Sequence, residues 1–397
     1  MMSDSARRRL LACEVIPGSD GVLKAHRMLS DALLHDAPAI ALLPPDDGSE
    51  HVQRQRVAIA PDVPLEIDDI AAVVTTSGSS GDPTGVLLGR SALLAAAAGT
   101  HATLPRGAGR WLVTMPVTAV GGLMTLVRAI DASLEPVTWP GVGGAATFTG
   151  DAFIQVAHTT LALGQADGAP SYVSMVPTQL ARIVDHPEAL DCLARFDFTL
   201  IGAAALPTSV RDAAERAGVV LASTYGASET CGGVVYDGIP LPGVSVEIDN
   251  DDRVVIGGST IAAGYRLQPD LTDMTFRDGR YRSADLGSIV DGVLTVHGRI
   301  DDVVKVGGRK VSLLAIVDAA RSVSGVLDAA AVAVDDPQWG HQPILLVLGD
   351  ASLTAISSAV TQRCGATRCL VRRVDSLPYL PNGKINRMAL NTLVDPR

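Results

Sequence analysis

The chain holds 397 residues, which at roughly 100–200 per domain allows two to four domains and a sizeable core. Hydrophobic residues at 47% and charged ones at 19% exclude a disordered or collagen-like chain, and aromatics at 4% leave the core to aliphatic side chains. Lys plus Arg number 32 against 43 Asp plus Glu, a net charge of −11 with no long basic tract, which argues against nucleic acid as a partner.

At the N-terminus Arg7, Arg8 and Arg9 precede a short apolar run broken by Glu14, which does not make a signal peptide. Residues 70–76 (IAAVVTT) predict a buried strand that enters a Gly/Ser loop, with a helix over 91–100 after it. The longest uncharged stretch, 111–127, contains Pro116, Gly121 and Gly122 and falls short of the roughly 20 apolar residues a spanning helix needs. It predicts buried core and no membrane span. Residues 198–201 and 218–222 read as strands around a helix over 209–217, with Ser209 near its N-cap. Alternation of this kind, with all-apolar strands, predicts parallel sheets covered on both faces.

From about Val244 the character changes: short strands at 244–248, 253–256 and 293–296, separated by Asp, Asn and Gly turns, predict a small antiparallel subdomain. Helices over 311–322 and 352–364 with strands at 329–334, 344–348 and 371–374 predict a separate small domain, dividing the chain into 1–300 and 301–397. The five cysteines (Cys13, Cys192, Cys231, Cys364, Cys369) are odd in number, scattered, and without a neighbouring His to complete a zinc set. They fit a reducing cytoplasm.

Residues 76–85 read TSGSSGDPTG directly after the first predicted strand. Ser77, Gly78, Ser79, Ser80 and Gly81 offer hydroxyl and N–H donors with little bulk, which suits anionic oxygens, although no Gly-Lys-Ser/Thr ends the loop as in a Walker A motif. Taken alone, such a loop is as readily an ordinary turn. Further along come 224–230 (TYGASET), 282–287 (RSADLG), 298–311 (GRIDDVVKVGGRKV) and 380–387 (LPNGKINR). Each alone reads as a charged surface turn.

In this order and spacing, from about Ile70 to Leu390, the segments resemble the adenylate-forming superfamily of acyl- and aryl-CoA ligases, adenylation domains and luciferases. Residues 224–244, TYGASETCGGVVYDGIPLPGV, resemble the o-succinylbenzoate–CoA ligases of menaquinone biosynthesis, in particular the compact actinobacterial type. The resemblance implies an α/β adenylate-forming fold: a large N-terminal domain with parallel-type sheets and a small β subdomain, then a small mobile C-terminal α+β domain. It implies a small-molecule carboxylic acid, ATP with Mg2+, and coenzyme A. The acid attacks the α-phosphorus to give an acyl-adenylate and pyrophosphate, and a thiol then displaces AMP.

Residue by residue, the resemblance assigns Lys384 to stabilise charge on carboxylate and α-phosphate oxygens, and Glu229 to hold Mg2+. Asp285 and Arg299 would meet ribose and phosphate. Gly202, Ala203 and Ala204 would pack along adenine beside Thr224, Tyr225, Gly226 and Ser228. Thr230, Gly232 and Gly233 would line the acyl pocket, Gly307 and Gly308 the path of CoA, and Asp301 would be the hinge of the small domain. Thr84, Ala119 and Ala315 stand where the family usually carries Lys, His and Glu. Two other readings stay open: another acyl-CoA ligase or carrier-loading adenylation enzyme, and a non-catalytic nucleotide-binding homologue. A homodimer also stays open.

Overall fold

A computed structural model describes residues 9–35, 37–77, 83–365, 367–379 and 385–394. The chain divides into two units, residues 1–246 with 256–282, and residues 247–255 with 283–397.

In the first unit, strands Leu10–Glu14, Ala39–Leu43 and Ile70–Ser77 pair in parallel. Pro83–Gly89 and then Gly264–Tyr265 extend that sheet antiparallel. The loop after Ile70–Ser77 therefore leads into a second strand of a hairpin before the helix Arg90–Thr103 begins, where the sequence suggested strand, loop and helix. The apolar run 85–89 (GVLLG) is too short to be told from the start of that helix by periodicity alone.

A second sheet runs in the order Ile239–Pro240, Gly232–Tyr236, Leu221–Ala227, Phe198–Ile201, Ser171–Met175, Arg110–Val113, Val137–Thr138. From Leu221–Ala227 onward every pairing is parallel, as the apolar alternation requires, and the first two strands turn back antiparallel. Strands such as Ala39–Leu43 and Ser171–Met175 are buried at every position because helices lie on the sheets.

Local chemistry sets the helix ends. Thr149 accepts from the N–H of Ala152 at the start of Gly150–Asp167, and Gly168 closes it at φ 65°. Ser209 lies within the first turn of Thr208–Arg216; Pro207, at φ −60°, is the residue that opens it. The following strand starts at Leu221, since Gly218 at φ 88° is spent ending the helix.

The second unit pairs residues 285–290 with Val293–Arg299, and Val326–Asp336 with Gly340–Gly349, both antiparallel. Leu370–Arg373 joins in parallel. Val311 belongs to the strand Arg309–Ser312; the helix expected from 311 starts at Leu313, capped by the Ser312 hydroxyl. Helix Arg387–Val394 was not expected from sequence. Leu345, Ile356, Ile316 and Val360 centre an aliphatic core of its own.

Candidate active site and family

The carboxyl ends of the parallel strands in the second sheet gather the first group of predicted residues, the place where open α/β sheets bind ligands. Gly202, Ala203 and Ala204 follow Phe198–Ile201, and Thr224, Tyr225 and Gly226 lie in the neighbouring strand. Gly232 and Gly233 pair with Ala227 and Gly226. Thr224 sits between two glycines: a Cβ at Gly202 would stand 2.7 Å from its Oγ1, and one at Gly233 would stand 2.7 Å from its Cβ. A Cβ at Gly226 would fall 2.0 Å from the carbonyl oxygen of Gly232, so these strands approach as only glycine permits. Ala203 adopts φ 72°, a left-handed conformation that strains a residue with a Cβ.

Ser228, Glu229 and Thr230 form one 3-10 turn after that strand. Thr230 is wholly buried: its hydroxyl accepts from the N–H of Ala227 at 2.8 Å and donates to the carbonyl of Gly232 at 2.8 Å. It is spent on holding the turn. Cys231 follows at φ 54°, fully buried, and burial pushes its thiol up to about 12.

Glu229 is only 7% exposed. Its carbonyl accepts from the N–H of Ala262 at 2.8 Å, and its Oε1 accepts from the Tyr265 hydroxyl at 2.8 Å. Burial first, then the adjacent Glu229, push the Tyr265 phenol far above its ordinary value, so it remains a donor. A single buried carboxylate with oxygen neighbours suits a hard cation such as Mg2+. No three His, Cys, Asp or Glu converge among the described residues.

Across from this strand runs the helix Val120–Asp131. A Cβ at Gly232 would lie 3.1 Å from Met124 Cγ. One turn on, Arg128 is 4% exposed. Its guanidinium donates to Thr100 Oγ1 at 3.3 Å and Ser174 Oγ at 3.5 Å, and lies 5.1 Å over the Trp111 ring. Thr100 in turn bonds the Tyr236 hydroxyl at 2.9 Å, which ties Arg128 to the strand of Gly232. No carboxylate among the described residues pairs with it. Arg128 and Tyr265 are the two residues that motif reading missed.

In the second unit Asp285 lies directly opposite Arg299, 3.8 Å between Oδ1 and Nη1. Arg299 also donates to Asp301, from Nε at 3.1 Å and from Nη2 at 3.0 Å. Its own burial opposes its charge and these carboxylates, Asp301 foremost, outweigh it, so the guanidinium is held above its ordinary range. Gly307 and Gly308, at φ 56° and 80°, make the two-residue turn between Val303–Val306 and Arg309–Ser312, a position that itself calls for glycine. A Cβ at Gly307 would meet the Trp339 ring at 2.8 Å, while Gly308 faces open space. Gly78, Ser79, Ser80, Gly81, Lys384 and the side chain of Ser77 lie outside the described residues.

The family described as AMP-binding enzyme matches residues 1–266, two thirds of the chain. The chain belongs to that family. It is 35% identical over 333 residues to a probable 2-succinylbenzoate–CoA ligase of Mycobacterium tuberculosis, covering 81% of this chain and 84% of that one. With the 2-succinylbenzoate–CoA ligase of Escherichia coli it shares 27% over 336 residues, 82% of this chain and 69% of that one. The fold of an o-succinylbenzoate CoA synthetase from Bacillus subtilis, solved with its acyl-adenylate intermediate, superposes with a TM-score of 0.76 at 18% identity, covering 99% of this chain and 92% of that one. An amide bond synthetase from Marinactinospora thermotolerans also reaches 0.76, at 21% identity, covering 98% and 90%. These superpositions establish the adenylate-forming fold that the ordered motifs implied. No helix among the described residues is long and apolar enough to cross a membrane.

Proposed function

We propose that this chain is an ATP-dependent, AMP-forming 2-succinylbenzoate–CoA ligase working in the cytoplasm. The observation that carries the reading is the pairing of two features in one unit: the buried Glu229 turn at the carboxyl ends of the parallel strands, and the helix face across Gly232 that presents Met124 and Arg128.

The acid's attack on the α-phosphorus needs its reactants held in line and charge neutralised, more than it needs a protein nucleophile. Glu229 would hold Mg2+, which when bound neutralises phosphate charge. The small residues 202–204 and 226 leave the strand ends bare for a flat base, with Thr224 Oγ1 as a polar edge. Arg128 would receive the carboxylate of 2-succinylbenzoate that does not react; a guanidinium is the matched fork for such a group. Lys384 would stabilise the adenylation transition state, a role that rests on its Pro-Asn-Gly-Lys motif. Asp285 and Arg299 would take the ribose and phosphate, Asp301 the hinge between residues 1–300 and 301–397, and Gly307 and Gly308 the path of the CoA thiol that releases AMP.

The test is thioester formation by the full chain with Mg-ATP and CoA, offering 2-succinylbenzoate, benzoate and fatty acids side by side. Product from 2-succinylbenzoate, cut about 10²- to 10³-fold in Lys384→Ala, is expected. Turnover confined to another acid refutes the substrate; nucleotide binding without pyrophosphate release from any acid refutes the ligase.

A further inference from the structure

We infer that Tyr265 is a positioning residue for Glu229: its hydroxyl fixes the carboxylate in the orientation that meets the metal of Mg-ATP, and its backbone ties that orientation to the strand Pro83–Gly89. This rests on the proposed metal role of Glu229.

Three contacts within the first unit immobilise Tyr265. Its backbone pairs antiparallel with Val86, and the preceding Gly264 pairs with Leu87. Its N–H donates to Thr272 Oγ1 at 2.9 Å. Its ring meets Phe276 edge-on with centroids 5.2 Å apart. Its hydroxyl proton goes to Glu229 Oε1 at 2.8 Å.

The segment 260–265 holds Glu229 at two points, through the Ala262 N–H on the Glu229 carbonyl and through the Tyr265 hydroxyl on the carboxylate. The first fixes the backbone of the turn and the second fixes the side chain. A carboxylate with one oxygen so held loses rotational freedom about its terminal torsion, which is otherwise broad. Tyr265 thus acts before any ligand arrives, by removing orientations that a metal would have to exclude. Because the same residue is a register partner of Val86, a shift of Pro83–Gly89 along its pairing would move the carboxylate with it.

Tyr265→Phe tests this, since the ring contact with Phe276 and both backbone bonds survive and only the hydroxyl goes. Binding of ATP to the full chain is measured by calorimetry with and without Mg2+, in the absence of acid and CoA, so that no turnover enters. The expected result is an approximately 10-fold weaker Mg-ATP affinity, the scale of one lost hydrogen bond to a charged acceptor, with Mg-free ATP binding unchanged. The Mg2+ concentration for half-maximal adenylation should rise in step. Combined with Glu229→Gln, Tyr265→Phe should add no further loss, because it acts through that carboxylate. Unchanged Mg-ATP binding in Tyr265→Phe, equal losses with and without Mg2+, or additive losses in the double variant would each overturn the inference. Glu229→Gln binding Mg-ATP like the wild type would remove the metal role of Glu229 and this inference with it. Loss in Glu229→Gln with none in Tyr265→Phe overturns the inference alone.

Discussion

Replacing Arg128 by Met separates its cost to the fold from its use to the substrate. Met matches its length and fills the same channel between Trp111 and Ser174. On the fold side two terms oppose. Losing the guanidinium over the Trp111 ring, at 5.1 Å, costs about 0.5–2 kcal/mol, and Ser174 loses a long bond of 3.5 Å. Against this, a cation at 4% exposure that is paired only with hydroxyls carries a desolvation penalty of comparable size, which Met removes. Thr100 keeps partners, since it still donates to the carbonyl of Ala96 at 2.9 Å and meets Tyr236 at 2.9 Å. The unfolding free energy should therefore move by no more than about 1 kcal/mol.

On the substrate side nothing offsets the loss. One hydrogen-bonded charge pair is worth about 1.5–3 kcal/mol, so kcat/KM for 2-succinylbenzoate should fall roughly 10- to 100-fold. An analogue lacking the non-reacting carboxylate should be used equally by wild type and variant. The assay is pyrophosphate release against acid concentration for both acids, with thermal unfolding run beside it. Equal losses on the two acids, or wild-type kcat/KM on 2-succinylbenzoate, would refute the reasoning.

Gly226→Ala places a Cβ 2.0 Å from the Gly232 carbonyl oxygen and must force two backbones apart; a loss of about 3 kcal/mol or more in urea unfolding is expected. Ala203→Gly removes left-handed strain of about 1–2 kcal/mol at φ 72° against a glycine entropy cost of about 0.5–1, so the melting temperature should rise slightly with nucleotide affinity kept. Cys231, wholly buried, has its thiol raised from 9.0 to about 12 by burial. The folded state therefore keeps a proton that the unfolded state sheds, and stability should be intact below about pH 9 and decline between pH 9 and 12, by at most about 1.4 kcal/mol per pH unit from this group. Cys231→Ala should flatten that decline in denaturant titrations.

The parallel core was legible because burial on both faces writes itself as unbroken apolar runs: 70–76 and 198–201 were placed within a residue of their observed ends. The close approach of the strands around 226 was legible because glycine and small residues recur where backbone must approach backbone, as Gly226 does. What escaped was tertiary. Pro83–Gly89 was merged into the approach to a helix, since a short apolar run carries no period of its own. Tyr265 gave no local sign, because its partner Glu229 stands 36 positions away and the contact exists only once Gly264–Tyr265 joins the first sheet. Arg128 did leave a trace: it is the first charge after the uncharged run 111–127, on a helix whose residues from Gly122 to Ile130 are all buried. A charge in such a place has a cost that something must offset.

The three buried arginines among the described residues of the first unit show why Arg128 stands apart. Arg266 donates to the carbonyls of Ile59, Ala60, Val63 and Pro64 and pairs with Glu66, so its charge and its donors are consumed in clamping one loop to the strand end at Tyr265. Arg110 pairs with Asp167 and donates to the carbonyl of Glu135. In each a carboxylate balances the cation and backbone carbonyls take further protons, although Arg110 Nε is buried without a partner. Arg128 has two hydroxyls and an aromatic face, all neutral. For a purely structural purpose Met or Leu would serve as well in that place, for the reasons that make Arg128→Met tolerable to the fold. On the proposed function the guanidinium would meet an anion that arrives with the substrate, since a substrate with two carboxylates brings one to spare while the other reacts.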